Sequence, residues 1–366
     1  MLSRDENKRY SRHVILDKVG MEGQLKLKAA KVLVIGAGGL GCPTLQYLTA
    51  AGVGTIGIID FDKIDISNLQ RQILFTPQDL GKNKAEIAAE HLKQLNEHVI
   101  FQVYPERLTA ENALELFAAY DLVIDGTDNF STRYLVNDAA VLTNKPLVYG
   151  SIYKFQGQVS VFTYENGPTY RCVFPIPPKA GTIKNCSEIG VIGVLSGIIG
   201  TQQANEAIKI TLGIGTTLSG HLLIYDALKA TYMKVAVKKS DDEVQKTLDL
   251  KASFKTQDYD LFCGVNTAEK SHEITGEYLK QLLNNDNIRI VDLREEWEEP
   301  QLEGSNVERI IMSELQEKMD RFKTDKIVVL VCQTGTRSNN VKQLVEQTLQ
   351  QSDIKELKGG MEKYGK

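Results

Sequence analysis

The feature that most constrains this chain is a glycine loop, Gly36-Ala37-Gly38-Gly39-Leu40-Gly41. It lies between an apolar β-rich run, Lys31–Ile35 (KVLVI), and a helical stretch that reaches Ala50. Glycines in this GxGxxG pattern allow a tight turn and close backbone approach, so phosphate oxygens can meet the N–H groups at a helix N-terminus. The next strand candidate, Thr55–Asp60 (TIGIID), ends on an acid placed to accept hydrogen bonds from ribose hydroxyls. Gly36, Gly38 and Asp60 are therefore candidate nucleotide-binding residues, and the setting predicts a parallel, doubly wound sheet.

The rest of the first half keeps the rhythm. Asn83–Leu95, Glu111–Ala119 and Arg133–Thr143 read as helices, alternating with the strands Phe101–Tyr104, Asp121–Asp125 and Pro146–Val148. After Gly150 the pattern changes to Gln158–Thr163 and His221–Asp226, expected to be antiparallel. Between them runs an apolar helix, Val191–Leu212, and the glycines at 190, 193, 197 and 200 suit close helix packing in the core or at a dimer interface. The hydrophobic rhythm fades around Lys238–Lys270. A second α/β pattern then starts, with helices at Gly276–Leu283 and Ser338–Leu349 and strands at Ile288–Leu293 and Lys326–Val331. The expected organisation is α/β: a Rossmann-like nucleotide-binding sheet extended by antiparallel strands over 1–245, a linker over 246–270, and a small α/β domain over 271–366.

The glycine loop does not say which nucleotide is bound. A nicotinamide dehydrogenase is the default, and the residues downstream argue against it. Asp62, Asn68, Arg71 and Gln72 follow the second strand, Lys84 opens a helix, and Asp128 and Asn129 follow the fourth strand in GTDN. Ligands of such sheets bind beyond the carboxyl ends of the strands. A neutral nicotinamide needs no Arg and Lys over its reacting end, whereas a departing pyrophosphate does. Asp128 suits Mg²⁺, which favours one or two carboxylates with phosphate oxygens. A net charge of −4 argues against a nucleic-acid partner. The longest apolar uncharged run, Ile189–Thr201, is 13 residues, too short to span a membrane, and the polar start MLSRDENKRYSRH lacks a signal-peptide core. Five scattered cysteines make no disulfide framework. A soluble, cytoplasmic protein is the expectation.

RYSRH, GAGGLG, DFDKIDISNLQRQ, the Lys84 helix and GTDN together resemble the ubiquitin-activating-type adenylyltransferases of the MoeB/ThiF family, over roughly residues 3–240. The resemblance implies AMP transfer from ATP to the C-terminal glycine of a ubiquitin-like sulfur carrier ending in Gly-Gly, by a homodimer. It assigns Gly39, Asp60, Ser67, Asn68, Leu69, Gln70, Arg71, Lys84, Asp128 and Asn129 to ATP, with Asp128 near Mg²⁺. It also implies that Arg12 reaches the phosphates of a partner subunit. A dehydrogenase with a regulatory module and a non-catalytic carrier-binding scaffold are the alternatives. The carrier's pathway stays open between molybdopterin, thiamine and tRNA thiolation.

The cysteines divide. Cys42, just inside the first helix, reads as a small core residue. The resembled family often carries two CxxC zinc pairs where this chain has Thr169-x-x-Cys172 and Asp260-x-x-Cys263; with two thiolates left, no structural zinc is expected. Cys186 precedes the apolar helix, where a helix N-terminus lowers a thiol's pKa, and the resemblance links it to capture of the activated carrier. Cys332 ends the strand KIVVLV and opens CQTGTR, so the loop N–H groups, the helix dipole and Arg337 favour an anion there. This loop, with VDLREEWE and LKGGM, is similar to that of rhodanese-type sulfurtransferases, which hold a cysteine persulfide; a cysteine desulfurase is the expected donor. Four residues between Cys332 and Arg337 are one too few for a cysteine phosphatase. Two departures from the rhodanese pattern are Gln333, where an arginine is usual, and EGSNVE in place of a GHIPGA-like segment.

Overall fold

The computed structural model describes residues 1–178, 190–263, 273–349 and 354–364, so Cys186 lies outside the described residues. The chain divides into two compact units, Met1–Gly264 and Val265–Lys366.

The first unit is built on an eight-stranded sheet of order β3-β2-β1-β4-β5-β6-β7-β8. β1 (Lys31–Ile35), β2 (Thr55–Ile59), β3 (Ile100–Tyr104), β4 (Leu122–Asp125) and β5 (Leu147–Tyr153) run parallel. β6 (Gln156–Phe162), β7 (His221–Asp226) and β8 (Thr231–Ala236) continue the sheet antiparallel. β1 and β2 are apolar on both faces because both are covered. Val32, Val34, Ile56 and Ile58 pack against one set of helices, and Leu33, Ile35 and Ile59 against the other.

Three short N-terminal helices, α1 (Arg4–Arg9), α2 (Ser11–Val14) and α3 (Gly20–Ala29), precede β1 and carry no signal in the sequence reading. α4 (Gly41–Ala51), α5 (Lys84–Leu95) and α6 (Ala113–Ala118) follow β1, the β2 loop and β3. α7 (Phe130–Thr143) starts three residues before the expected Arg133, because Asn129 caps it by accepting from the Thr132 amide at 2.8 Å. α8 (Tyr170–Val173) is a single turn. α9 (Gly193–Leu212) packs on the core beside α4, and two of its glycines pack within the chain: a Cβ on Gly193 would lie 2.2 Å from the Gln70 carbonyl, and one on Gly200 2.4 Å from that of Leu40. Gly197 faces open space.

The expected linker is the main difference. α10 (Asp241–Asp249) and α11 (Tyr259–Phe262) lie within 1–264, and Phe254, Tyr259 and Cys263 are buried in the second core beside Tyr134 and Tyr170. Single aromatics spaced among charged residues anchor a segment without producing hydrophobic periodicity, so composition alone reads it as a connector.

The second unit holds a parallel sheet of order β11-β10-β12-β13-β9. Its strands are β9 (Glu273–Ile274), β10 (Ile288–Asp292), β11 (Val307–Arg309), β12 (Ile327–Val331) and β13 (Ile354–Leu357), with helices α12 (Gly276–Leu282) and α13 (Thr336–Leu349). β9, β11 and β13, like β8, were not legible; they are two to six residues long and depend on pairing rather than on pattern.

Candidate active site

A cavity of about 360 Å³ opens at the carboxyl ends of β1, β2 and β4. The glycine loop makes its floor. Gly36 adopts φ +89°, which favours glycine, and a Cβ on Gly41 would lie 1.9 Å from the Gly36 carbonyl oxygen, so neither position accepts a side chain. Asp60 is buried beneath the loop. Its two carboxylate oxygens accept from the Ala37 amide and the Asp62 amide, each at 2.8 Å, and retain further lone pairs for a ligand. Burial pushes the Asp60 carboxyl upward, against the opposing pull of Lys84 and the two amides.

Lys84 opens α5 and is buried, its Nζ 3.0 Å from Asp62 Oδ2. Asn83 caps the same helix, accepting from the Ala85 and Glu86 amides. Arg71 lines the cavity from the opposite side and donates to the Ser67 carbonyl at 3.1 Å. Asp65 and Asn68 form reciprocal caps on the turn that carries Ser67, and Ser67 Oγ donates to Asp65 at 2.6 Å. Asp128 stands exposed on the cavity wall, between Thr127 and the capping Asn129.

Gly36, Gly38, Gly39, Asp60, Asn68, Arg71, Lys84, Asp128 and Asn129 thus share one cavity. Ser67, Leu69 and Gln70 stand behind its lining: Leu69 packs on the first core, and Gln70 presents its carbonyl to Gly193. Arg12 is exposed on α2, outside the lining. Among residues the sequence reading did not select, Arg107 and Arg133 also line the cavity. Arg107 stacks over Phe61 at 5.6 Å, and Arg133 lies over Phe130 and Tyr149. Nothing local marks them, since an arginine after a strand or one turn into a helix is ordinary surface composition.

Cys42 is fully buried and donates to the Ala37 carbonyl, and burial pushes its thiol up to about 12. It packs. Cys172 Sγ accepts from the Thr169 and Ser240 amides at 3.3 Å, Cys263 is buried, and Asp260 approaches Arg107 at 3.9 Å. This region is fastened by a buried ion pair. Arg171 donates to both oxygens of Asp138 at 2.7 and 2.8 Å, Tyr259 donates to the same carboxylate at 2.9 Å, and the guanidinium lies 4.8 Å from the rings of Tyr134 and Phe262.

In the second unit Cys332 is fully buried at the end of β12. Its sulfur accepts from the Gly335 amide at 3.1 Å and the Ser338 amide at 3.4 Å. Arg337, expected to face an anion at this loop, makes a paired contact with Glu298. Burial raises the Glu298 carboxyl, but Arg337 and the Glu295 amide more than offset it and hold Glu298 below its usual range. Gln333 bridges Arg294, which donates to its Oε1 at 3.3 Å, and the Glu299 carbonyl, to which it donates at 3.2 Å. The residue that replaces the usual arginine is therefore part of the loop's anchorage.

Residues 10–246 match the ThiF family model, and 275–366 match the rhodanese-like domain. The chain belongs to the ThiF family. This ThiF-family chain is 43% identical over its full length to a Mycobacterium tuberculosis protein named probable adenylyltransferase/sulfurtransferase MoeZ, covering 94% of that protein. It is 50% identical to the Thermus thermophilus sulfur carrier protein adenylyltransferase, over 72% of this chain and 98% of that one. The adenylyltransferase and sulfurtransferase MOCS3 of Culex quinquefasciatus is 44% identical over 75% of this chain and 62% of its own length. In fold, the chain is similar to Escherichia coli MccB, with a TM-score of 0.58 over 65% of this chain and 72% of that one, at 23% identity. This ThiF-family enzyme is thus an adenylyltransferase joined to a sulfurtransferase unit. No described helix is long and apolar enough to cross a membrane.

Proposed function

We propose that this enzyme adenylates the C-terminal glycine of a ubiquitin-like sulfur carrier and then converts it to a thiocarboxylate. The observation that carries this reading is the shared cavity, in which the glycine loop, the Asp60 carboxylate, the cations Lys84 and Arg71 and the Asp128 carboxylate converge. Asp60 takes the ribose hydroxyls. Lys84 and Arg71 face the triphosphate and stabilise the charge that builds on pyrophosphate as the carrier's carboxylate attacks the α-phosphorus. Asp128 is in none of the described ion pairs, so its carboxylate would be free to hold Mg²⁺, which when bound would supply positive charge against the triphosphate. Arg12, outside the cavity of its own chain, reaches the phosphates of the partner in a homodimer. Tyr153 and Phe155 stand exposed just beyond Ile152, a cavity residue, and offer an apolar approach for a Gly-Gly tail.

The attack forms a carboxyl–phosphorus bond and releases pyrophosphate, giving an acyl adenylate. The terminal sulfur of a Cys332 persulfide, loaded by a donor such as a cysteine desulfurase, displaces AMP to give an acyl disulfide. A thiolate from a small-molecule thiol then attacks the Cys332 sulfur. The thiocarboxylate leaves and a mixed disulfide remains on Cys332, which a second such thiol reduces, while Cys186 is the candidate that holds the activated carrier during transfer. The test is ATP–pyrophosphate exchange with purified carriers of the molybdopterin, thiamine and tRNA-thiolation classes. Exchange should require one of them with its terminal glycine intact; a carrier-independent rate, or no exchange with any carrier, would sink the reading. A cytoplasmic setting fits the thiol chemistry.

The same reading leaves the Cys172–Cys263 region without zinc, held by the Arg171–Asp138 pair instead. Asp138→Ala strands a buried guanidinium and is expected to destabilise the first unit by about 3–5 kcal/mol in denaturant titrations. Dialysis against a chelator should change nothing, and metal analysis should find far less than stoichiometric zinc. A chelator-sensitive fold with a tolerant Asp138→Ala would reverse the assignment.

A further inference from the structure

Arg133 is a buried cation that the reaction as described does not use. It is 7% exposed, takes part in none of the ion pairs among the described residues, and has an Nε with no hydrogen-bond partner. Its Nη2 donates to the Thr127 carbonyl at 3.2 Å, and the guanidinium lies 5.6 and 5.7 Å from the Phe130 and Tyr149 ring centres. Burying an arginine without a salt bridge is costly. Something at this place must need it.

The surroundings supply the reason. Thr127 is gripped from the other side by Asp125, whose Oδ1 accepts from the Thr127 amide at 2.9 Å and from its hydroxyl at 2.6 Å. Asp125 is itself buried, and Gln203 of α9 donates to its carbonyl at 2.6 Å. Gly126 is pressed on β1, its amide donating to the Ile35 carbonyl at 2.8 Å, and Asn129 is committed to capping α7. The neighbours of Asp128 in this loop are thus fastened, while the Asp128 side chain, exposed on the cavity, is in none of the hydrogen bonds or ion pairs among the described residues. A neutral donor in place of Arg133 would hold the Thr127 carbonyl equally well. It would not supply the positive charge that lets Asp125 and Asp128, two carboxylates three residues apart, face one small loop.

We propose that Arg133 is a positioning residue for adenylyl transfer: with Asp125 it clasps Thr127, and the clasp fixes where Asp128 stands. This rests on the reading of Asp128 as the carboxylate that meets the metal on the triphosphate. The experiment uses the full chain and α,β-methylene-ATP, with binding measured calorimetrically in the presence and absence of Mg²⁺. Losing an outer partner of a metal carboxylate typically costs 10–100-fold, so Arg133→Met should lose about that much of the Mg²⁺-dependent gain in affinity, read as the ratio of its own affinities with and without Mg²⁺. Hydrogen exchange at the Thr127 amide, which donates to Asp125 at 2.9 Å, should accelerate in the same variant. Arg133→Lys, which keeps the charge, should recover part of the gain. A folded Arg133→Met with wild-type Mg²⁺ gain and wild-type amide protection overturns the clasp. If Arg133→Met does not fold, full retention of the gain and of amide protection by Arg133→Lys overturns it instead. Asp128→Asn run in parallel separates the two readings: if that variant keeps the Mg²⁺ gain, the metal assignment of Asp128 fails, and amide protection in the Arg133 variants decides the clasp alone.

Discussion

Lys84→Ala is expected to slow carrier-dependent ATP–pyrophosphate exchange by about 10²–10³, the usual cost of removing one donor aimed at charge developing in a transition state. The site makes this effect specific to the chemical step. Lys84 is buried, held at the start of a capped helix, and 3.0 Å from Asp62, so its ammonium needs no ordering before reaction. The KM for ATP should move less than kcat. Arg71→Ala should behave similarly, and near-normal exchange in both would remove the triphosphate from this end of the cavity. The same variant tests the shared site. Lys84→Ala subunits mixed with Arg12→Ala subunits should regain activity, because each mixed dimer has one site with an intact Lys84 and the partner's intact arginine. No recovery despite demonstrated subunit exchange would confine Arg12 to its own chain.

Cys332→Ser should abolish thiocarboxylate formation and leave pyrophosphate exchange intact. In the proposed function adenylation draws on the cavity of the first unit, whereas Cys332 belongs to the second. The amides of Gly335 and Ser338 already point at Cys332 Sγ, an arrangement that favours an anionic sulfur. Given a cysteine-desulfurase donor, wild-type protein should gain one sulfur on Cys332, seen by mass spectrometry. Cys186→Ser should still load Cys332 but release thiocarboxylate slowly. An adduct on Cys186 with Cys332 left as a free thiol would reduce the second unit to a docking module.

Much of the first unit was legible because its signals are local. A glycine loop between an apolar strand and a helix, an acid at the end of the next strand, and polar residues just after strands four and two all follow from chain direction in a parallel sheet. Cys332 was legible for the same reason, as a thiol between a strand and a helix. The illegible elements lack such signals. β8 is exposed along its whole length, so no burial alternation marks it; α1 and α2 are too short for a period to emerge, and α3 buries Gly23 and Gln24 beside Leu27, so its inner face shows no apolar stripe.

What the sequence by itself determined, then, is the α/β architecture, the nucleotide loop and several of the polar residues that line the cavity, though not Arg107 or Arg133. Tertiary structure decided which of them stand at the cavity and what holds them there. Arg171 meets Asp138 across 33 residues and Arg337 meets Glu298 across 39, while Phe254 and Tyr259 turn a seeming linker into core. The physical reason is common to all of these. Backbone pattern is set by neighbours a few residues apart, whereas the partner of a buried charge is set by packing, which no short window of sequence contains.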